Sequence, residues 1–226
     1  MKKTIIFLAI LTITFSLSTL SASSAKTFEG VITYKISYPD SKFTESQMAM
    51  FPKIFTVTVK GQKSLTELST GMGNQREIVD YVEKTKVSLL DMMGQKYAIR
   101  QTVQEIEKEN AGSPKPVVKL TSETKVIAGY TCKKAIVTTV DNGTTYTYEI
   151  YYTNELGSGN MNFDSPLYKD IDGVLMEFSM NTKQLTMKFT VTNVEKKSVA
   201  SSLFEIPSDY KLTTQEELKS KFGGME

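Results

Sequence analysis

The chain has 226 residues, among which there is no histidine, no tryptophan and a single cysteine. The missing histidine excludes Ser-His and Cys-His catalytic pairs and ordinary zinc or copper sites, and one cysteine excludes an internal disulfide or a thiolate metal cluster. The 27 basic and 25 acidic residues give a net charge of +2, and the hydrophobic fraction of 40% is that of a globular protein. We therefore predict no enzyme, no catalytic residue, no metal site and no cofactor.

The N-terminal segment has the pattern of a secretory signal peptide. Lys2 and Lys3 are followed by an apolar stretch from Ile5 to Leu17, and small residues then lead to a predicted cleavage site after Ala25. A membrane anchor is the alternative, but the apolar stretch is shorter than the roughly 20 residues of a spanning helix. We predict cleavage near Ala25, a periplasmic or secreted protein, and no stable membrane span.

Removal of Lys2 and Lys3 with the signal peptide leaves equal numbers of basic and acidic residues. Affinity for nucleic acid comes largely from neutralisation of phosphates by basic side chains. Arg76 and Arg100 are the only arginines in the sequence, so bidentate phosphate contacts are also few. We therefore expect no nucleic-acid partner.

Alternation of apolar and polar residues dominates residues 26–226 and predicts eleven antiparallel strands. Turns are predicted at Ala128-Gly129 and at Asp141-Asn142-Gly143, the second because Asn and Gly both tolerate positive φ. The strands are predicted, in chain order, at 28–38, 54–60, 63–69, 76–83, 86–93, 95–101, 117–126, 130–140, 145–152, 174–180 and 185–191.

Few segments are available to cover the apolar face of such a sheet. Residues 102–110 predict a short helix, and Thr214-Gln215-Glu216-Glu217 resembles a capping box that opens a final helix to Phe222. Residues 40–52 and 154–170 are irregular but long enough to cross a concave face. The fold class is therefore mostly β: a single eleven-stranded, antiparallel curved sheet or half-barrel, covered by short helices and loops in one domain over 26–226.

Three motifs could carry chemistry, but each has a simpler structural explanation. Cys132 could be a reactive thiol, although the sequence has no histidine to activate it and a buried strand position is expected. Asp170-Ile171-Asp172-Gly173 resembles part of a calcium loop without its further ligands, so a surface turn is favoured. Asn142-Gly143-Thr144 fits a glycosylation sequon, yet a hairpin turn explains the same residues. A hydrolase that uses a pair of carboxylates is a further hypothesis, although the spacing of the acidic residues singles out no such pair.

Five runs of residues form a recognisable series along the chain. They are Phe28-Glu29-Gly30-x-Ile32-x-Tyr34, Lys125-x-Ile127-Ala128-Gly129-Tyr130-x-Cys132-Lys133-Lys134-Ala135, Tyr151-Tyr152-Thr153-x-Glu155, Gly173-Val174-Leu175-Met176-Glu177 and Leu203-Phe204-x-Ile206-Pro207-x-x-Tyr210. This series resembles an uncharacterised family of exported bacterial proteins that carry a domain of unknown function. The fold of that family is similar to the lipoprotein carriers of the LolA/LolB superfamily.

The resemblance implies a LolA-like half-barrel whose apolar concave face holds acyl chains. We therefore expect a periplasmic, non-enzymatic binding protein that sequesters a lipid or the acyl chain of a lipoprotein, at a gain of roughly 0.8 kcal/mol for each buried methylene. The alternative is an envelope protein-interaction or sensing module, its protein partner unknown, with a concave face filled by its own side chains. The residues expected to line the ligand-binding cavity are Tyr34, Ile36, Phe55, Val57, Met176, Phe178, Met187 and Phe189.

Overall fold

A computed structural model describes residues 28–222 of the chain, apart from positions 40, 71–72, 93, 142, 160 and 182–184. The predicted signal peptide and its cleavage site near Ala25 lie outside the described residues. Among the helices that the structure describes, none combines the length and the apolar character that a membrane crossing requires.

The described residues build one sheet of twelve strands, and every predicted strand forms within a few residues of its expected bounds. The strands are β1 (Glu29–Ser37), β2 (Ile54–Lys60), β3 (Lys63–Thr70), β4 (Gly73–Asp80), β5 (Thr85–Met92), β6 (Gln95–Gln101), β7 (Val117–Ile127), β8 (Tyr130–Asp141), β9 (Thr144–Thr153), β10 (Val174–Asn181), β11 (Thr186–Lys196) and β12 (Lys211–Thr213). Their order across the sheet is β12-β6-β5-β4-β3-β2-β1-β11-β10-β9-β8-β7.

The prediction of a mostly β fold with a large sheet and few short helices is confirmed, but its strand count was one short. The additional strand, β12, has three residues and pairs with β6 in parallel, whereas the other neighbouring strands are antiparallel. Three residues are too few to show alternation, which is why the sequence pattern missed it. The sheet is consequently mixed.

The structure describes three short α-helices, two of them between strands and one after β12, and each is preceded by a threonine that caps it. They are α1 (Glu45–Met48), α2 (Val103–Glu109) and α3 (Gln215–Phe222). At the start of α2 the Glu105 carboxylate accepts a hydrogen bond from the Thr102 backbone N–H at 2.7 Å, and the Thr102 hydroxyl accepts one from Glu105 N–H at 3.4 Å. The same reciprocal arrangement joins Thr214 and Glu217 before α3. Both predicted helices are therefore confirmed.

The register of β1 places its apolar side chains on one face, which we call the inner face. Tyr34 lies opposite Phe55 of β2, and Ile36 lies opposite Phe189 of β11. Residues 154–173, which we call the strap, contribute Leu156 and Ile171 to the core, each only 1% exposed. The strap thus covers the middle of the sheet, as expected for residues 154–170.

The opposite face of β3–β6 is also covered, so that this half of the sheet is buried on both sides. Leu65, Leu89 and Ala98 pack there against Val199 and Phe204, which come from the segment after β11. The alternation in the sequence had suggested that the whole sheet has one apolar face and one polar face exposed to solvent. Over β3–β6 the second face is not exposed, because the segment after β11 packs its own apolar side chains, Val199 and Phe204, against it.

Two glycines of the quoted motifs are needed for close backbone approach. A Cβ atom on Gly30 would lie 2.1 Å from the carbonyl oxygen of Glu195, and one on Gly173 would lie 2.6 Å from the carbonyl oxygen of Thr153. Both glycines also have positive φ, at +155° and +132°, which other residues rarely adopt. These glycines are therefore explained by close backbone packing in the sheet, and a ligand is not needed to account for them.

Candidate functional site

Four aromatic residues that the sequence predicted to share one face form a cluster at the centre of the inner face. The rings of Tyr34 and Phe55 are stacked with centroids 4.3 Å apart, and those of Phe178 and Phe189 are stacked at 4.8 Å. Phe55 also meets Phe189 edge to face at 5.5 Å. Aromatic pairs in these geometries add roughly 0.5–1.5 kcal/mol each to the effect of burial alone.

The other four predicted lining residues join the same apolar core. Ile36 and Met176 are buried, with 4% and 0% of their surface exposed, while Val57 and Met187 are half-buried against them. Met176 lies where the pairing of β9 with β10 shifts by one residue. The structure thus brings all eight residues together, and their role in holding a ligand stays a prediction.

The inner face is filled by these side chains and by the strap. Tyr34 is 4% exposed, and its hydroxyl donates a hydrogen bond to the Leu175 carbonyl oxygen at 3.0 Å. Beside the rings there remains a hollow of about 170 Å³, which we call the inner hollow, lined by Phe55, Glu77 and Met161 among others. Pockets for small organic ligands typically measure about 300–1,000 Å³. The centre of the sheet is therefore closer to a packed core than to a ligand cavity.

The inner hollow is lined by ionisable side chains, Glu77, Asp164 and Tyr81, that were not predicted from the sequence. Burial raises the pKa of Glu77, with a further contribution from nearby Asp164 and an opposing one from Lys86. Lys86 and Asp164 lie 3.7 Å apart, which ties the strap to β5. Burial also raises the pKa of Tyr81 to about 12, and its hydroxyl shares a 2.8 Å hydrogen bond with Ser64.

A signal for Glu77 was present in the sequence. Glu77 is in phase with Val79 on β4, and alternation therefore directs it to the inner face like its apolar neighbour. An acidic residue at an inward position is unusual enough to be noticed. A carboxyl group with a raised pKa in a cleft is a candidate acid or base, but here the enclosed space is small.

A second and larger hollow lies at the end of β8, β9 and β10, and we call it the tyrosine hollow. Its volume is about 360 Å³. The strands contribute Thr139, Asp141, Tyr146, Tyr148 and Asn181, while Leu167 of the strap and Pro114 of the loop before β7 complete the lining.

Thr139 lines the tyrosine hollow, but its hydroxyl oxygen is buried. Thr139 is 5% exposed, and among the described residues its hydroxyl oxygen has no hydrogen-bond partner. Thr139 lies directly opposite Tyr146 in the pairing of β8 with β9. Burial raises the pKa of Tyr148, which is hydrogen-bonded to Asn181. Tyr146 and Tyr148 are two positions apart on β9 and therefore share a face, but nothing in the sequence shows that the strap leaves this end of the sheet open.

The remaining sequence candidates have structural roles. Cys132 is fully buried, and burial raises the pKa of its thiol, which disfavours the reactive thiolate. Asp172 accepts hydrogen bonds from the Gly159 backbone N–H and the Asn154 amide, and thereby folds the strap onto itself. Within the described part of the chain, no cluster of three or more potential metal-binding side chains occurs. Asn142 of the sequon lies outside the described residues.

Comparison with known proteins identifies a family. A family model described as "N-glycanase peptide, N-terminal domain" matches residues 32–212, which include ten complete strands, β2 to β11, and most of β1 and β12. No curated protein sequence matches the chain significantly. The predicted membership of an exported family with the LolA/LolB fold is therefore wrong. Four of the five runs that suggested it lie in strands and the residues next to them, and two of these contain a close-approach glycine, features that large sheets of different families share.

Proposed function

Because the chain belongs to the N-glycanase peptide N-terminal domain family, we propose that it is an exported, non-enzymatic binding domain for the glycan of a glycosylated protein. The family description supplies the link to glycans, since it refers to one domain of an N-glycanase. The signal-peptide pattern around Lys2, Lys3 and Ala25 supplies the expectation of export. Extracellular and periplasmic proteins are where such glycans would be met.

The observation that carries the proposal is the packing of the inner face. Tyr34 and Phe189 are less than 9% exposed and stack on Phe55 and Phe178, so that the predicted acyl-chain cavity is occupied by the protein's own rings. Sequestering a lipid there would require the strap to leave and the ring pairs to separate. A scaffold that is packed inside and binds its partner at a surface opening needs neither change.

A binding role is also favoured over a catalytic one by the position of the acidic groups. Glu77 has the raised pKa expected of an acid catalyst, but it lines the inner hollow of about 170 Å³ together with Met161 and Asp164 of the strap. The linkage between a glycan and a peptide, with its flanking groups, is larger than this space. The raised pKa is accounted for by burial at an inward strand position.

The experiment is a binding measurement with one glycoprotein in two forms. The exported chain is passed over an immobilised glycoprotein and over the same protein after enzymatic removal of its glycans. We expect micromolar binding to the first form and a loss of at least tenfold on the second. Equal binding to both forms would favour a protein-interaction module and overturn the glycan proposal. Displacement of a fluorescent fatty-acid probe from the chain by unlabelled lipid would restore the lipid hypothesis.

A further inference from the structure

We propose that the middle of the strap, residues 161–166, is held to the sheet by a pH-sensitive ionic contact and separates from the sheet more often as the pH rises. The contact joins Asp164 of the strap to Lys86 of β5, and Asp164 lines the inner hollow together with Glu77 of β4. This conformational switch goes beyond the proposed function and does not depend on glycan binding.

The three ionisable groups come from three elements that meet on the inner face. Lys86 lies opposite Val79 in the pairing of β4 with β5, and Val79 is two positions from Glu77, so these side chains share one face. The Asp164 carboxylate approaches from the strap and lies 3.7 Å from the Lys86 ammonium group, and the two side chains are only 20% and 18% exposed. Because the pair is partly shielded from water, salt screens it less than it screens a fully exposed pair.

The strap is fixed near its two ends and held less firmly in its middle. Leu156, Tyr168 and Ile171 are at most 3% exposed, and the Tyr168 hydroxyl donates a hydrogen bond to the Ser179 carbonyl oxygen of β10. Residues 161–166, in contrast, are all half-buried. Segments with few fully buried side chains open locally at a lower free energy than the core around them. The middle of the strap can therefore separate while the sheet stays folded.

The ion pair is one of a small number of contacts between the middle of the strap and the sheet. The Phe163 ring meets the Tyr81 ring edge to face with centroids 6.4 Å apart, and Met161 packs against the apolar core. Asn162 instead donates its hydrogen bonds to two carbonyl groups at the end of the strap itself, at 2.7 and 3.0 Å. These bonds do not tie the segment to β4 or β5. A change in the strength of the Asp164 contact therefore changes how often the segment separates.

The position of the strap changes the pKa of Glu77. In the closed form, which the structure shows, burial raises this pKa, Lys86 opposes the increase and Asp164 adds to it. Separation of residues 161–166 would return water to Glu77 and withdraw Asp164, while Lys86 stays on the sheet. Both changes favour the charged carboxylate, so the pKa of Glu77 is lower in the open form.

The sign of the pH effect follows from this difference. The closed form retains the Glu77 proton to higher pH than the open form, so a rise in pH between the two pKa values favours the open form. For one linked proton the effect is at most about tenfold in the opening equilibrium for each pH unit. Below both pKa values Glu77 is neutral in both forms, and the ionic contact then holds the strap at its full strength.

The other groups that face Glu77 do not titrate in the same range. Tyr34 and Tyr81 line the inner hollow, but burial raises their pKa values, so both hydroxyls stay neutral where a carboxyl group titrates. The residues that β3 contributes to the hollow are Ser64 and Thr66, which carry no charge. Glu77 is therefore the group in the hollow whose ionisation responds to pH above the ordinary carboxyl range.

The test is amide hydrogen exchange of the purified chain, followed by mass spectrometry between about pH 5 and pH 8. Rates are expressed as protection factors, because the intrinsic rate of exchange itself depends on pH. The reporters are peptides over residues 161–169, where the amides of Ser165 and Lys169 donate hydrogen bonds within the strap at 3.0 and 3.1 Å. We expect the protection of these peptides to fall as the pH rises, by up to about tenfold for each pH unit.

Three variants isolate the ionic contact. Glu77→Gln keeps the shape of the side chain without its charge, so protection should stay at its low-pH level throughout. Asp164→Asn removes the ion pair and should lower protection about two- to fivefold at the lowest pH. Glu67→Gln is the matched control, because Glu67 is adjacent to Thr66, the β3 residue opposite Glu77, but is exposed on the other face. This control should keep the pH dependence of the wild-type chain.

Three results would overturn the switch. The first is strap protection that is constant with pH in the wild-type chain, or that has the same pH dependence in Glu77→Gln. The second is unchanged protection in Asp164→Asn, which would show that the ion pair does not hold the strap. The third is an equal fall in peptides over β8 and β9, which would mean that the whole sheet unfolds. Glycan binding is measured separately, so its failure leaves the switch intact.

Discussion

Phe189→Ala distinguishes a packed inner face from an open cavity. In the structure the Phe189 side chain is 8% exposed, stacks on Phe178 at 4.8 Å and meets Phe55 at 5.5 Å. Truncation of a buried phenylalanine costs about 3–5 kcal/mol, through lost transfer free energy and the cavity that remains. Because two ring contacts are lost as well, we expect a fall of about 4 kcal/mol in the free energy of unfolding.

The assay is urea unfolding followed by circular dichroism, analysed by linear extrapolation with comparable slopes for both proteins. For a chain of this size the loss corresponds to a decrease of roughly 8–16 °C in melting temperature. Met180→Ala is the matched control, because Met180 lies on the neighbouring strand opposite Met187 but is 45% exposed. We expect a cost below about 1 kcal/mol for it. A loss under about 1 kcal/mol for Phe189→Ala would refute the packed face.

Three further changes test separate parts of the account. Thr139→Val should raise the free energy of unfolding of the ligand-free protein by about 1 kcal/mol in urea titrations, because it removes a buried hydroxyl without a partner; a decrease would mean that the hydroxyl is satisfied. Burial raises the pKa of Glu77 in the folded protein, so the folded state retains its proton to higher pH than the unfolded chain. The free energy of unfolding therefore falls as pH rises between the two pKa values. Glu77→Gln should flatten this part of the stability profile, and an unchanged slope would contradict the assignment. Gly30→Ala should lower the melting temperature by more than about 10 °C, since its Cβ would lie 2.1 Å from the Glu195 carbonyl oxygen; a fully stable variant would exclude the close approach.

Much of the sheet could be predicted from the sequence because alternation is a local signal. The run from Phe28 to Tyr38 carries its apolar residues at every second position, and β1 forms over Glu29–Ser37. The capping boxes at Thr102 and Thr214 are similarly local, and both helices follow them. β12 was missed because its three residues are held by parallel pairing with β6, which is a long-range contact.

The site was predicted less well because it depends on how distant segments meet. Alternation correctly grouped Tyr34, Phe55, Phe178 and Phe189, but it could not show whether a face is filled or open. That depends on the strap, whose path is irregular. Leu167 of the strap lines one side of the hollow beside Thr139, and no local pattern in the sequence shows where the strap meets the ends of the strands.

The family assignment required more than motif similarity. Gly30 and Gly173 stood out in the sequence as parts of distinctive runs, and both are explained by backbone contacts within the sheet. Residues of this kind are required by the fold, so proteins with the same kind of sheet can share them while binding different partners. This is why runs that suggested a lipid carrier belong to a chain of the N-glycanase peptide N-terminal domain family.

Native mass spectrometry with two competing ligands distinguishes glycan binding from lipid binding by this protein. The purified chain is mixed with equal concentrations of a free N-glycan and a long-chain fatty acid, and the masses of its complexes are recorded. We expect a one-to-one adduct with the glycan and none with the fatty acid, because the inner face is occupied by Tyr34, Phe55, Phe178 and Phe189. A fatty-acid adduct without a glycan adduct would contradict it.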